Sequence, residues 1–192
     1  MNHLAHLALA GDDLLIGSFL GDYVKGRLDG SLPPEVERGV RLHRAIDAFT
    51  DRHDIVSRSA RRFDPVYRRY AGIMIDVVYD YFLARHWDDY YDSPLPEFSR
   101  KTLARLAEGE AHLTDRALRT VRRMQQHNAL AHYGSESFLA GAFESLAGRL
   151  SRANPLAQAL EQCLAREKAL REDFIEFYPA LIAFSENWRQ NS

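Results

Sequence analysis

PVYRRYAGIMIDVVYDYFLARHWDDYY, residues 65–91, decides the fold class. Tyr67, Tyr70, Ile73, Met74, Ile75, Val77, Val78, Tyr79, Tyr81, Phe82 and Leu83 are too dense for a single helical stripe. They cover nearly the whole circumference, which predicts a central, buried helix. Asp76 and Asp80 fall in its middle at i,i+4 spacing, on one face and within reach of each other. A buried carboxylate is costly unless it is paired, protonated or bound to a metal, and a second one nearby adds like-charge repulsion. The pair therefore requires cations, either arginines from neighbouring helices or a metal ion.

Outward from this segment, helix-start punctuation recurs. Asp64-Pro65 and Asn154-Pro155 each place a capping residue before a proline, which the first helical position tolerates, and Ser135 can cap the segment after it. Strand signals are few: Asp29-Gly30 leads into Ser-Leu-Pro-Pro and not into an alternating run. An all-α helical bundle is expected, with helices over Asn2–Ala10, Asp12–Lys25, Pro33–Asp51, Ile55–Phe63, Pro65–Tyr91, Pro96–His112, Thr114–His132, Ser135–Arg152 and Pro155–Gln190. The last is expected to bend at Pro179, where a backbone hydrogen bond is lost. The gaps are short and carry no repeat or low-complexity run, so residues 1–192 are expected to form one domain.

Length and composition agree with that. The chain has 192 residues, 46% of them hydrophobic, enough for one sizeable core. Its 25 basic and 27 acidic residues leave a formal charge of -2, so nothing in the overall polarity advertises nucleic acid or an anionic membrane as partner. Charge-based recognition must be local. Cys163 is the one cysteine, which excludes an internal disulfide and any multi-cysteine metal site. The apolar stretches are well short of the ~20 residues a bilayer span needs, and the first residues lack the basic start of a secretory signal. A soluble, cytoplasmic protein is expected.

Three further clusters carry residues with chemistry. His43 and Asp47 share a face of the Pro33–Asp51 helix; at i,i+4 they can ligate one divalent ion, or the carboxylate can simply orient the imidazole. Asp22 and Lys25 lie at i,i+3 between Gly21 and Gly26, where the carboxylate could hold a metal and the ammonium meet a phosphate oxygen, or the two could form a helix-ending ion pair. His3 and His6 at the start are either ligands or decoration of the terminus. Together these segments bring imidazole, carboxylate and ammonium groups to one helical domain, a combination that favours a hard-metal hydrolase. Mixed nitrogen and oxygen ligands suit Mn²⁺ or Mg²⁺, with zinc or iron also compatible.

The pattern Asn2-x3-His6, Gly21-Asp22-Tyr23-Val24-Lys25-Gly26, His43-Arg44-x2-Asp47-x2-Thr50-Asp51 and Asp76-x3-Asp80-x-Phe82-Leu83-x2-His86-Trp87 resembles the acyl-carrier-protein phosphodiesterase family. The match runs in order through the first half and extends more loosely to Phe177-Tyr178-Pro179. The resemblance implies a fold related to HD-type metal phosphohydrolases and Mn²⁺ as working ion. It also implies cleavage of the phosphodiester between a carrier-protein serine and 4'-phosphopantetheine. The chain departs from the HD name, since its one adjacent His-Asp pair, His53-Asp54, falls in an expected inter-helix turn. The ligands favoured are His43, Asp22 and Asp76 or Asp80, with His6 and Asp47 next. Asp22 or Asp47 would act as base, with Lys25 and Arg44 offsetting phosphoryl charge.

The partner implied is a small acidic carrier protein, so a basic docking face is expected. Arg58, Arg61, Arg62, Arg68 and Arg69 form one candidate group, and Arg116, Arg119, Arg122 and Arg123 another. Two other readings use the same residues differently. One is a metal phosphohydrolase acting on a nucleotide or small phosphoester. The other is a non-enzymatic helical binding module whose aspartates pair with arginines.

Overall fold

A computed structural model describes residues 1–192. It contains nine α-helices and five short 3₁₀ turns and no strand, the all-α class that the 65–91 segment foretells. The helices are α1 (His3–Leu20), α2 (Pro34–Arg52), α3 (Asp54–Arg61), α4 (Ala71–Arg85), α5 (Leu95–Glu108), α6 (Asp115–Gln126), α7 (Glu136–Arg149), α8 (Ala159–Leu164) and α9 (Glu167–Asn191). All nine contribute to one cluster of 45 buried apolar residues. No helix is long and apolar enough to cross a membrane.

α4 is the central helix. Ten of its 15 residues are buried, on every side of the helix, so apolar packing and not an amphipathic stripe fixes it in place. It is shorter than the expected Pro65–Tyr91 helix at both ends. Residues Pro65–Tyr70 wind as a 3₁₀ turn, because Asp64 gives its carboxylate to Arg166 (2.6 Å) and does not cap the turn that follows. At the other end the Trp87 indole N–H donates to the Ser93 carbonyl at 2.7 Å and turns the chain back. The expected Pro155–Gln190 helix is likewise interrupted, at Ala165 and Arg166, where the Arg166 guanidinium reaches back to the Arg62 carbonyl at 2.5 Å. α9 then runs on through Pro179.

α1 and α2 pack more closely than helices with ordinary side chains can. A Cβ built on Gly17 would sit 2.1 Å from the Val36 carbonyl oxygen, and one on Gly39 2.5 Å from that of Leu14. The two glycines face each other, so backbone meets backbone at the crossing. α1 is itself bent at Gly11, whose φ of 66° belongs to the left-handed region that glycine adopts readily. The bend falls between the expected Asn2–Ala10 and Asp12–Lys25 helices, and the second of these stops at Leu20. At Gly21 a Cβ would strike the His43 ring at 2.1 Å, so the chain leaves α1 directly over that imidazole.

A polar clasp ties α3 to α9. Asp173 is buried, at 1% exposure, and accepts hydrogen bonds from Arg58 Nε (2.7 Å), Arg62 Nε (2.7 Å) and the Ser59 hydroxyl (2.6 Å). Burial works against its charge, but the two guanidinium groups and the hydroxyl hold its carboxyl below the usual carboxylate range. Nearby on α8, burial pushes the Cys163 thiol up to about 12.

Replacing Gly39 with Ala should disrupt the α1–α2 crossing, since neither backbone can give way without moving its helix. The expected cost is about 2–3 kcal/mol, read as a lower midpoint in thermal denaturation followed by circular dichroism. An unchanged midpoint would contradict the close packing.

Candidate metal centre

Four side chains from three segments converge where α1 crosses α2. His6 comes from the first half of α1, His43 and Asp47 from one face of α2, and Asp22 from the turn after α1. His6 Nε2 lies 3.0 Å from Asp47 Oδ1. His43 Nε2 lies 3.3 Å from Asp47 Oδ2 and 3.8 Å from Asp22 Oδ1. The two imidazole rings stack, with centroids 3.7 Å apart. His3 completes the edge of the group, its Nδ1 3.4 Å from Asp22 Oδ2. Both stacked histidines are buried, whereas the two carboxylates are about half exposed, so the group opens to solvent on its acidic side.

The hydrogen bond of His43 to the main chain sets its tautomer. Its Nδ1 lies 2.8 Å from the Ser18 carbonyl oxygen, which can only accept, so Nδ1 carries the hydrogen. In the neutral ring Nε2 is then a bare lone pair, facing two carboxylate oxygens. Such a crowd of electron-rich atoms is tolerable only around a cation. Donation of the far ring nitrogen to a backbone carbonyl is also how metal-binding imidazoles are commonly oriented.

The donor set fits a divalent ion. Ligand atoms of His6, His43 and Asp47 all lie within 4.8 Å of one another, close enough to share one ion. Burial and the adjacent His43 lower the His6 imidazole to about 4, so the ring stays neutral at pH 7. Burial opposes the Asp47 charge, but the two imidazoles beside it take this carboxyl well below the usual range. The neutral His6 imidazole, the His43 Nε2 and the ionised Asp47 form a set that a divalent cation would complement.

The remaining expected site residues stand elsewhere. Asp76 and Asp80, expected to join the metal ligands, have other partners. Asp76 Oδ1 accepts from the Met1 ammonium at 2.6 Å. Asp80, at 1% exposure, accepts from the backbone amides of Leu4 (2.7 Å), Asn2 (3.3 Å) and Ala5 (3.3 Å). Burial raises Asp80 to about 7, with those amides pulling against it. Arg44 donates to the Val24 carbonyl at 3.0 Å and so braces the turn that carries Asp22. Lys25 is exposed on that turn. Sequence reasoning names His3 as either a ligand or terminal decoration but does not place it among the favoured ligands, and it misses Ser18, which acts through its carbonyl and leaves no trace in residue type.

A pH effect on stability follows from His6. Its folded-state value lies below the ordinary histidine value of about 6.5, so between about 6.5 and about 4 the unfolded chain takes up a proton that the folded one does not. His6 therefore takes stability from the metal-free protein as pH falls through this window, while Asp80, raised to about 7, adds to it over the same range. Urea titrations at pH 7 and pH 5 separate the two: the stability change from pH 7 to pH 5 should be more favourable in His6→Asn than in wild type.

Known proteins resemble this chain along nearly its whole length. The model of the acyl carrier protein phosphodiesterase family matches residues 1–181. An acyl carrier protein phosphodiesterase of Yersinia pestis is 33% identical, over 95% of this chain and 96% of its own length. Those of Photorhabdus laumondii and Escherichia coli are each 32% identical, over 97% and 95% of this chain and 96% of their own lengths. No solved structure matches. With a family match through both halves of the chain and relatives of nearly equal length, the protein belongs to the acyl carrier protein phosphodiesterase family.

Proposed function

We propose that this chain hydrolyses the phosphodiester linking 4'-phosphopantetheine to the serine of holo-acyl carrier protein, releasing apo-carrier protein and 4'-phosphopantetheine. The observation that carries the reading is the meeting of His6, His43 and Asp47 within reach of one ion, with Asp22 beside His43, in a chain of this family. His6, His43 and Asp47 would hold the ion, with Asp22 at its open edge, and Mn²⁺ is the ion proposed. When bound, it would supply a Lewis acid for the phosphoryl oxygen and lower the pKa of an attacking water.

The protein's own groups divide the remaining work. Asp47 lies 3.0 Å from His6 Nε2 and 3.3 Å from His43 Nε2 and is kept strongly acidic by the two imidazoles, so it is a poor proton acceptor. Asp22 has weaker partners and a half-exposed carboxylate, and it is the residue proposed to take the proton from water as the serine oxygen departs. Lys25, exposed three residues after Asp22, is proposed to offset charge on the phosphoryl oxygens. Arg44 serves by holding that turn, its guanidinium being engaged with Val24.

Carrier docking is proposed on the α6 arginines and not on the group around α3. Arg58 and Arg62 are engaged with Asp173, and Arg58 also with Glu176. Arg116 lies over the Tyr23 ring, 5.9 Å from its centroid, one residue from Asp22 in sequence. The charge of Arg149 is felt at both His3 and Tyr23, which adds a second cation on that side. A carrier protein bound along α6 would thus present its prosthetic group next to the metal centre.

Incubation of the purified protein with holo-acyl carrier protein and Mn²⁺ should remove the phosphopantetheine mass from the carrier, and EDTA should prevent it. An unchanged intact mass in the presence of metal would overturn the proposal. Asp22→Ala should abolish turnover and leave the helical circular-dichroism signal intact. For docking, the double variant Arg116→Glu, Arg119→Glu is expected to raise KM for the carrier at low salt and to weaken its salt dependence, because exposed charges are screened beyond about 10 Å at 0.1 M. Arg68→Glu, Arg69→Glu should do neither.

A further inference from the structure

Asp80 is buried in the middle of α4, about 75 residues along the chain from the segment it touches, and both of its oxygens are bound to backbone amides. Those amides belong to the first turn of α1. The opening N–H groups of a helix have no partner within it, and here each one is accounted for. His3 N donates to the Asn2 side chain at 2.9 Å, Leu4 N and Ala5 N donate to Asp80, and His6 N donates to the Asn2 carbonyl at 3.3 Å. A carboxylate at this end also opposes the positive pole of the helix dipole.

The turn so held carries two residues of the metal centre. Leu4 and Ala5 lie between His3, which meets Asp22, and His6, which meets Asp47. The rest of α1 is seated on α2 through Gly17, and beyond the bend at Gly11 the first half-helix is tied back by the Ser18 hydroxyl, which donates to the His6 carbonyl at 3.1 Å, and by the Met1 ammonium on Asp76. Asp80 adds the contact that takes the amides of its first turn, from the buried helix α4.

We infer that Asp80 is a positioning residue of the metal centre: by accepting the amide hydrogens of Asn2, Leu4 and Ala5 it sets the direction of the first half of α1 and so brings His6 Nε2 onto Asp47. The inference rests on the proposed metal centre for its functional meaning. It assigns Asp80 a role distinct from that of a ligand, since both carboxylate oxygens are already used.

The test compares wild type, Asp80→Asn and Asp80→Glu, the second keeping the charge but displacing it by one methylene. Three readouts are taken: hydrogen exchange of the α1 amides and the His6 ring resonances, both in metal-free protein, and Mn²⁺ affinity from the electron-paramagnetic signal of free Mn²⁺. Both variants should keep their helical content, exchange the amides of residues 3–6 at least tenfold faster, shift the His6 ring signals, and bind Mn²⁺ at least tenfold more weakly. In a His6→Ala background, Asp80→Asn should weaken Mn²⁺ binding no further.

An equal loss in both backgrounds would overturn the inference by making Asp80 a ligand or a general stabiliser. Unchanged exchange and ring signals would overturn it also, as would unfolding of both variants, which would make Asp80 a requirement of the fold and not of His6. If wild type itself fails to bind Mn²⁺, the metal reading fails, while exchange and the ring signals still decide whether Asp80 places His6.

Discussion

Everything at the centre of this molecule depends on α1 and α2 touching backbone to backbone at Gly17 and Gly39. Interhelix distances of about 8–10 Å are normal when side chains intervene, and a pair of facing glycines removes those side chains. The consequence is felt one to three turns away on either side of the crossing. The imidazoles of His6 and His43 stack, Asp47 spans both, and the Ser18 carbonyl, one residue from Gly17, comes within hydrogen-bond distance of His43 Nδ1. Gly21 continues the same logic, leaving room for the His43 ring where any side chain would displace it. The centre is a product of missing side chains as much as of present ones.

The aspartates of the core and of the metal centre divide into groups by the kind of cation or donor each has. Asp173 has guanidinium groups from α3, and its clasp is structural. Asp80 has amides and a helix dipole, and Asp76 an ammonium. Asp47 and Asp22 have imidazoles, of which His43 turns its Nε2 towards them because its Nδ1 is engaged with the Ser18 carbonyl. Only the last arrangement leaves carboxylates and a lone pair pointing at a common space. The distinction between structural and functional acid in this fold is thus one of partners, since burial alone is shared by Asp80, a positioning group, and Asp173, a clasp.

Much of this was readable in the chain. The uninterrupted apolar coverage from Tyr67 to Leu83 announced a buried central helix, and the i,i+4 spacing of His43 and Asp47 put both on one face of α2. The partners of Asp76 and Asp80 were not readable, because helical periodicity says that a carboxylate is buried and nothing about which distant segment meets it. The encounter with α1 is a matter of tertiary packing between helices far apart in sequence. His3 was discounted for a related reason: a histidine near a terminus ordinarily decorates the surface, and only the turn at Gly21 brings Asp22 back to it. The overlong helix expectations at Pro65 and Pro155 failed where Arg166 drew Asp64 away from its capping role and turned the chain at its own position.

The single thiol has a practical consequence. With its acidity weakened to about 12 by burial, Cys163 presents at neutral pH only about one thiolate in 10⁵, and the side chain is sealed within the core. Maleimides and nitroxide reagents would pass it by in the folded state. The protein therefore offers a silent background for site-directed labelling: cysteines placed together on the outer face of α6 and on the turn after α1 would be the two reactive sulfurs, and the distance between them could be followed as the carrier arrives.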